Sequence, residues 1–139
     1  MDGFTWAAFA CYLVSLVAAL VTGLRYMIRR EFMPYHSQAL GKTWAELDDK
    51  LKTLLLALMR MGGGAAVATC LSGIAMLVFA FISRELWSYY TIPVIGLIGY
   101  VTSLSVMLVV KKKTGAKAPY IPAAVGIVLI VIGFVLSFF

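Results

Sequence analysis

TWAELDDKLKTLLLALMRMGGGAAVATCLSGIAMLVFAFI, residues 43–82, joins a charged amphipathic helix start to an uncharged apolar run, and the rest of the chain is placed around it. Thr43 and Glu46 have the spacing of a capping box, which predicts a helix beginning there. Trp44, Leu47, Leu51, Leu54, Leu55 and Leu58 recur at three- and four-residue steps, while Glu46, Asp48, Asp49, Lys50 and Lys52 occupy the other face. Residues 62–82 carry no charge, and this length matches the ~20 residues that cross a bilayer core as helix. If unbroken from Trp44 to Ile82, such a helix is about 58 Å long, so its first part must stand outside the membrane.

Composition agrees. The 139 residues are 63% hydrophobic with 13% charged residues, and mean hydropathy is +0.97, which excludes an ordinary soluble domain. The formal charge of +6 does not point to nucleic acid, because the basic residues flank apolar runs; they read as topology signals and contacts to anionic lipid headgroups. Cys11 and Cys70 lie inside apolar runs without metal-ligand or CxxC spacing, which predicts free thiols and no metal site.

Working outward, 4–24 is an uncharged first span. No basic residues precede it and Arg25, Arg29 and Arg30 follow, so it reads as a retained helix and not a signal peptide. Ala8, Cys11, Ser15, Ala18, Ala19 and Thr22 form a small-residue stripe suited to close helix packing. Pro34 and Gly41 bracket a short interfacial helix or turn. Gly62, Gly63 and Gly64 predict a bend or a very close crossing, and the series Gly64, Ala68, Ser72 and Ala65, Thr69, Gly73 predict the packing face. Residues 86–110 form a third span with Trp87, Tyr89 and Tyr90 at its start and Pro93 as a kink or first-turn cap. Lys111, Lys112, Lys113 and Lys117 make a basic loop before a fourth span, 120–139.

The expected fold is therefore all-α: a single integral membrane domain of four helices, with a cytoplasmic amphipathic segment, about 34–60, extending the second. Eleven of the twelve basic residues fall within 25–60 and 111–117, leaving only Arg84 on the opposite side. By the positive-inside rule both of those segments are cytoplasmic and both termini are outside, for a bacterial inner membrane.

Few residues carry candidate chemistry. Arg60 stands between the amphipathic half and the uncharged span, as a snorkelling anchor or a bidentate site for a lipid phosphate or carboxylate. His36, Asp48 and Asp49 complete the candidate ligand-binding set, although a lone histidine is usually a surface residue and acids at a helix start satisfy its dipole. No cofactor is expected. The absence of an acidic residue inside any span argues against a small-multidrug-resistance-type exporter, and the lack of paired cysteines or several histidines argues against redox chemistry.

The run FMPYHSQALGKTWAELDDKLKTLLLALMRMGGG, 32–64, together with KKKTGAKAP, 111–119, resembles uncharacterised small four-helix bacterial inner-membrane proteins. That resemblance implies the four-span architecture and a bacterial origin, and carries no activity. The leading expectation is a non-enzymatic bundle that binds an apolar or lipid-like molecule or a partner membrane protein. The alternatives are a small transporter or channel subunit working as a homo-oligomer, with Ser15, Thr69, Ser72, Ser103 and Ser105 lining a cavity, and an interfacial enzyme using His36, Asp48, Asp49 and Arg60.

Overall fold

A computed structural model describes residues 2–139, and among them every regular element is helical. Helix α1 spans Gly3–Ile28; Asp2 caps it by accepting from the Thr5 amide and hydroxyl, both at 2.8 Å. Helix α2 spans Pro34–Leu40, with proline in its first turn and Gly41 ending it at φ +65, the left-handed conformation glycine adopts without a Cβ penalty. A single 3₁₀ turn, Trp44–Glu46, precedes α3 at Asp49–Met76, which runs on through a π-helical turn at Leu77–Phe81. Helices α4, Leu86–Thr114, and α5, Ile121–Leu136, complete the chain.

The chain is an all-helical membrane bundle, in which α1, α3 with its π turn, and α4 are long and apolar enough to cross a bilayer. Helix α5 has 16 residues, about 24 Å of helix, short of the ~30 Å hydrocarbon core; the expected span 120–139 is helical only to Leu136 and closes in turn hydrogen bonds. The connections alternate between two ends. At one, Asp2 lies 3.6 Å from Arg84 and the Phe4 and Phe139 rings are 6.1 Å apart; at the other, the Lys117 amide donates to Gln38 Oε1 at 2.9 Å.

Helix α1 is the centre of the bundle, with α3 on one side and α5 on the other, and α4 packed mainly on α5. The core joins Ala8, Tyr12 and Leu16 of α1 to Leu77 and Phe81 of the π turn, Ile92 of α4 and Ile130 of α5. Two tyrosines tie it together. Tyr12 packs its ring on Gly133 and edge-on to Phe81, while the Tyr100 hydroxyl donates to the Ser15 carbonyl at 2.6 Å with its ring against Gly126. Glycines on α5 thus make room for aromatic rings from its neighbours.

Several expectations change. The Thr43–Glu46 capping box forms, the Glu46 carboxylate taking the Thr43 amide and hydroxyl at 2.6 and 2.7 Å, but it opens only the 3₁₀ turn and not the second helix: Leu47 turns extended to bury beside Phe32 and Met59, and Asp48 caps the start of α3 through the Leu51 amide at 2.9 Å. On that face the acid-before-base spacings Glu46–Lys50 and Asp48–Lys52 form no ion pair, because both acids are engaged as caps; Lys52 meets Asp49 at 3.4 Å. The three glycines do not interrupt α3. Gly63 alone makes the close crossing, while Gly62 faces open space and Gly64 makes only an ordinary contact with Met27. The buried stripe of α3 is Met59, Gly63, Cys70 and Gly73, so Ala65, Ala68, Thr69 and Ser72 face outward. On α1, Ala18 and Thr22 likewise face out. Lys111, Lys112 and Lys113 belong to the last turn of α4, not to a loop, and suit its negative dipole end. Pro93 is buried well inside α4, beyond any cap position.

Candidate functional site

The end of the bundle holding α2 collects 11 of the 12 basic residues against four acidic ones, a net of seven positive charges, while the opposite end holds Asp2, Arg84 and Glu85. Its scaffold is a second, smaller core in which Phe32, Leu47 and Met59 bury together, flanked by Tyr26, Met33, Trp44, Leu51 and Leu55. Leu47, Leu51 and Leu55 are the part of the amphipathic face read in the sequence that packs into this core, while Leu54 and Leu58 of the same face are exposed. The loop after α4 closes this base, since Ala116 and Ala118 are buried and Lys117 is tied to Gln38 of α2.

His36 lies in that base, half-buried in a nest of rings. Its ring centroid is 4.2 Å from that of Tyr35, 6.2 Å from Phe32 and 6.4 Å from Tyr26. Its Nδ1 accepts from the Met33 amide at 3.4 Å, at the start of α2. Burial among these rings pulls the imidazole below its ordinary pKa of 6.5. The Tyr26 and Tyr35 hydroxyls share a hydrogen bond, and burial, then that bond, pushes the Tyr35 phenol well above its usual range.

The four sequence candidates are not brought together. Asp48 is spent on the cap of α3, and Asp49 is an exposed carboxylate beside Lys52. Arg60 lies about 16 Å further along the same helix, exposed, one turn toward the basic end from the Gly63 crossing with Gly23 and Met27. That places it level with the last turn of α1, which holds Arg25 and ends at Ile28. His36 faces the aromatic nest. The hydroxyls proposed for a polar cavity also scatter: Ser15 is buried beside Tyr100, Thr69 and Ser72 face outward, and Ser103 and Ser105 donate to carbonyls of their own helix at 2.8 Å. Among the described residues no cluster of His, Cys, Asp and Glu could hold a metal ion.

Helix α4 supplies the feature that sequence reasoning missed. Its buried residues, Ser88, Ile92 and Pro93, all lie in the first third. Beyond Tyr100 it stands largely uncovered, with Val101, Val106, Leu108 and Val109 exposed down to Lys111, Lys112 and Lys113. Uniform apolarity around this helix was the available signal, since it has no polar face to direct outward. Among the described residues the only ion pairs are Lys52–Asp49 and Arg84–Asp2, so none of these lysines is neutralised by a carboxylate; Lys111 stands 4.3 Å over the Tyr120 ring.

No family model, curated protein or solved structure matches the chain.

Proposed function

We propose that the protein is a non-enzymatic membrane bundle that binds an anionic amphiphile, a lipid with an acidic headgroup, at its basic end. One observation supports this most directly: Val101, Val106, Leu108 and Val109 are exposed along the last about 15 Å of α4 before Lys111, half a hydrocarbon core, and lead straight into three lysines without carboxylate partners. An acyl chain matches the helix surface and a phosphate matches the lysines. Arg60 and Arg25 add cations at headgroup depth. In the same reading the basic end faces the cytoplasm of a bacterial inner membrane, with both termini outside, because 11 of 12 basic residues lie there.

The test is lipid retention. Each lysine near an anionic surface contributes about 1 kcal/mol, so changing Lys111, Lys112 and Lys113 together to Gln removes about 3 kcal/mol, roughly a hundredfold in affinity. Purified protein exchanged into phosphatidylglycerol and phosphatidylcholine mixtures is examined by native mass spectrometry. Wild type retains phosphatidylglycerol and the triple variant loses it, whereas equal retention of both lipids by both proteins overturns the reading.

A further inference from the structure

We infer that α2 is a pH-operated strap across the basic end: neutral His36 holds it shut, and protonation of that imidazole releases it from the loop after α4. The strap is only seven residues, Pro34–Leu40, too short to persist as helix on its own, so it stays formed through what ties it down. At its start, His36 Nδ1 accepts from the Met33 amide at 3.4 Å while the His36 amide donates to the Met33 carbonyl at 2.8 Å, a reciprocal cap. In its first turn the Tyr35 hydroxyl bonds the Tyr26 hydroxyl of α1. Toward its end, where α2 lies against α4, Ser37 Oγ donates to the Lys42 carbonyl at 2.8 Å and Gln38 Oε1 accepts from the Lys117 amide at 2.9 Å. This last bond joins α2 to the loop that buries Ala116 and Ala118.

Protonation attacks the first tie directly. An imidazolium carries N–H on both ring nitrogens, so Nδ1 turns from acceptor to donor and meets the Met33 amide donor to donor. Nothing around the ring compensates the new charge. Tyr26 from α1, Phe32 from the connecting segment and Tyr35 from α2 surround it, and Phe32 in turn packs on Trp44. The neighbouring elements bring mainly cations: Arg25 on α1, Arg29 and Arg30 on the connecting segment, Arg60 on α3, and Lys111, Lys112, Lys113 and Lys117 from α4 and its loop. The acids of this end are engaged elsewhere, Glu46 at Thr43, Asp48 on the cap of α3 and Asp49 beside Lys52, and among the described residues Glu31 forms no ion pair with His36. Burial acts in the same direction, holding the imidazole below its ordinary pKa of 6.5, so the strap is shut at neutral pH and opens on acidification below that value. Helix formation is cooperative, so a seven-residue helix that loses its first turn also gives up Gln38, and with it the hold on Lys117. This inference does not rest on the lipid reading, which concerns the exposed half of α4.

Residue-resolved amide exchange by NMR tests it, in nanodiscs of phosphatidylcholine between about pH 8 and 5, with protection taken relative to an unstructured chain at each pH. His36 is the single histidine, so its imidazole titration is read in the same sample without ambiguity. Protection of the Lys117 amide is expected to fall several-fold together with that of Met33, at a midpoint matching the imidazole titration. Glutamine at this position can still accept from the Met33 amide but does not titrate, so His36→Gln is expected to keep both amides protected throughout. A fall at Met33 alone makes the cap a local feature and overturns the strap. So does a Lys117 amide that does not respond, a response that persists in His36→Gln, or an imidazole pKa above 6.5, since the rings would then be holding the imidazolium. Gln38→Ala decides independently of the histidine variant: it is expected to leave Lys117 unprotected at every pH while Met33 keeps its response, and surviving protection of Lys117 overturns the inference.

Discussion

Three consecutive glycines do not respond alike to substitution by alanine. A Cβ on Gly63 would lie 2.7 Å from the Gly23 carbonyl oxygen, 2.8 Å from the Met27 amide nitrogen and 3.0 Å from Tyr26 Cβ. Two of these are backbone atoms that no rotamer change moves, so relief to an ordinary contact requires α1 and α3 to separate by about 0.7 Å. A gap of that size forfeits roughly a quarter to a half of the local dispersion attraction. Overpacking of this kind costs about 1–3 kcal/mol, against the ~1 kcal/mol that alanine gains over glycine as a helix former. Gly63→Ala is expected to be destabilised by up to about 2 kcal/mol and Gly63→Leu to be recovered poorly. Gly62 has nothing within 4 Å and Gly64 only an ordinary contact with the flexible Met27 sulfur at 3.9 Å, so Gly62→Ala and Gly64→Ala are each expected to stabilise, by up to about 1 kcal/mol. Unfolding in mixed micelles of dodecyl maltoside and increasing SDS measures all three. Equal stability of Gly63→Ala and Gly62→Ala would refute the close crossing.

Removing the hydroxyl in Tyr100→Phe breaks the 2.6 Å bond to Ser15 and is expected to cost about 0.6–1.7 kcal/mol in the same titration. The folded His36 pKa is depressed, so its contribution is complete above the unfolded value of 6.5 and is lost as pH falls from there through the folded pKa. The protection of the Met33 amide, its exchange relative to an unstructured chain at the same pH, is therefore expected to fall below that pH in wild type and to lose this dependence in His36→Gln. Because Arg60 has no ion-pair partner among the described residues, Arg60→Lys is expected to leave thermal stability in detergent unchanged. For orientation, a C-terminal alkaline phosphatase fusion is expected to be active and a fluorescent-protein fusion dark.

Much of the fold is legible in one dimension because the bilayer imposes length and charge rules on a chain. The uncharged runs locate α1, α3 and α4, and the proline and glycine around YHSQAL locate α2 to the residue. The start of α3 was less legible. Thr43 and Asp48 both have cap chemistry, and the choice between them depends on where Leu47 can be buried, which is a contact with Phe32 distant in sequence. Asp48 and Asp49 are likewise explained by the helix they begin.

What the sequence by itself determined is that this chain lives in a membrane, as helices, with its positive charge at one end: hydropathy and basic-residue asymmetry are sums over residues and do not depend on neighbours. Which face of each helix turns inward was left to the tertiary structure. In a lipid-solvated helix apolar residues surround the whole circumference, so no polar side marks the outside, and the facing is settled by where backbones approach. Gly63 meeting Gly23, and Tyr12 and Tyr100 seating on Gly133 and Gly126, set a rotation in which only part of the small-residue series turns inward, Ala8 and Ser15 on α1 and Gly73 on α3, while Ala18 and Thr22 turn out. The same rotation leaves Ala65, Ala68 and Ser72 outward on α3 and leaves the lysine-terminated half of α4 uncovered, since only packed neighbours decide which surfaces remain for a ligand.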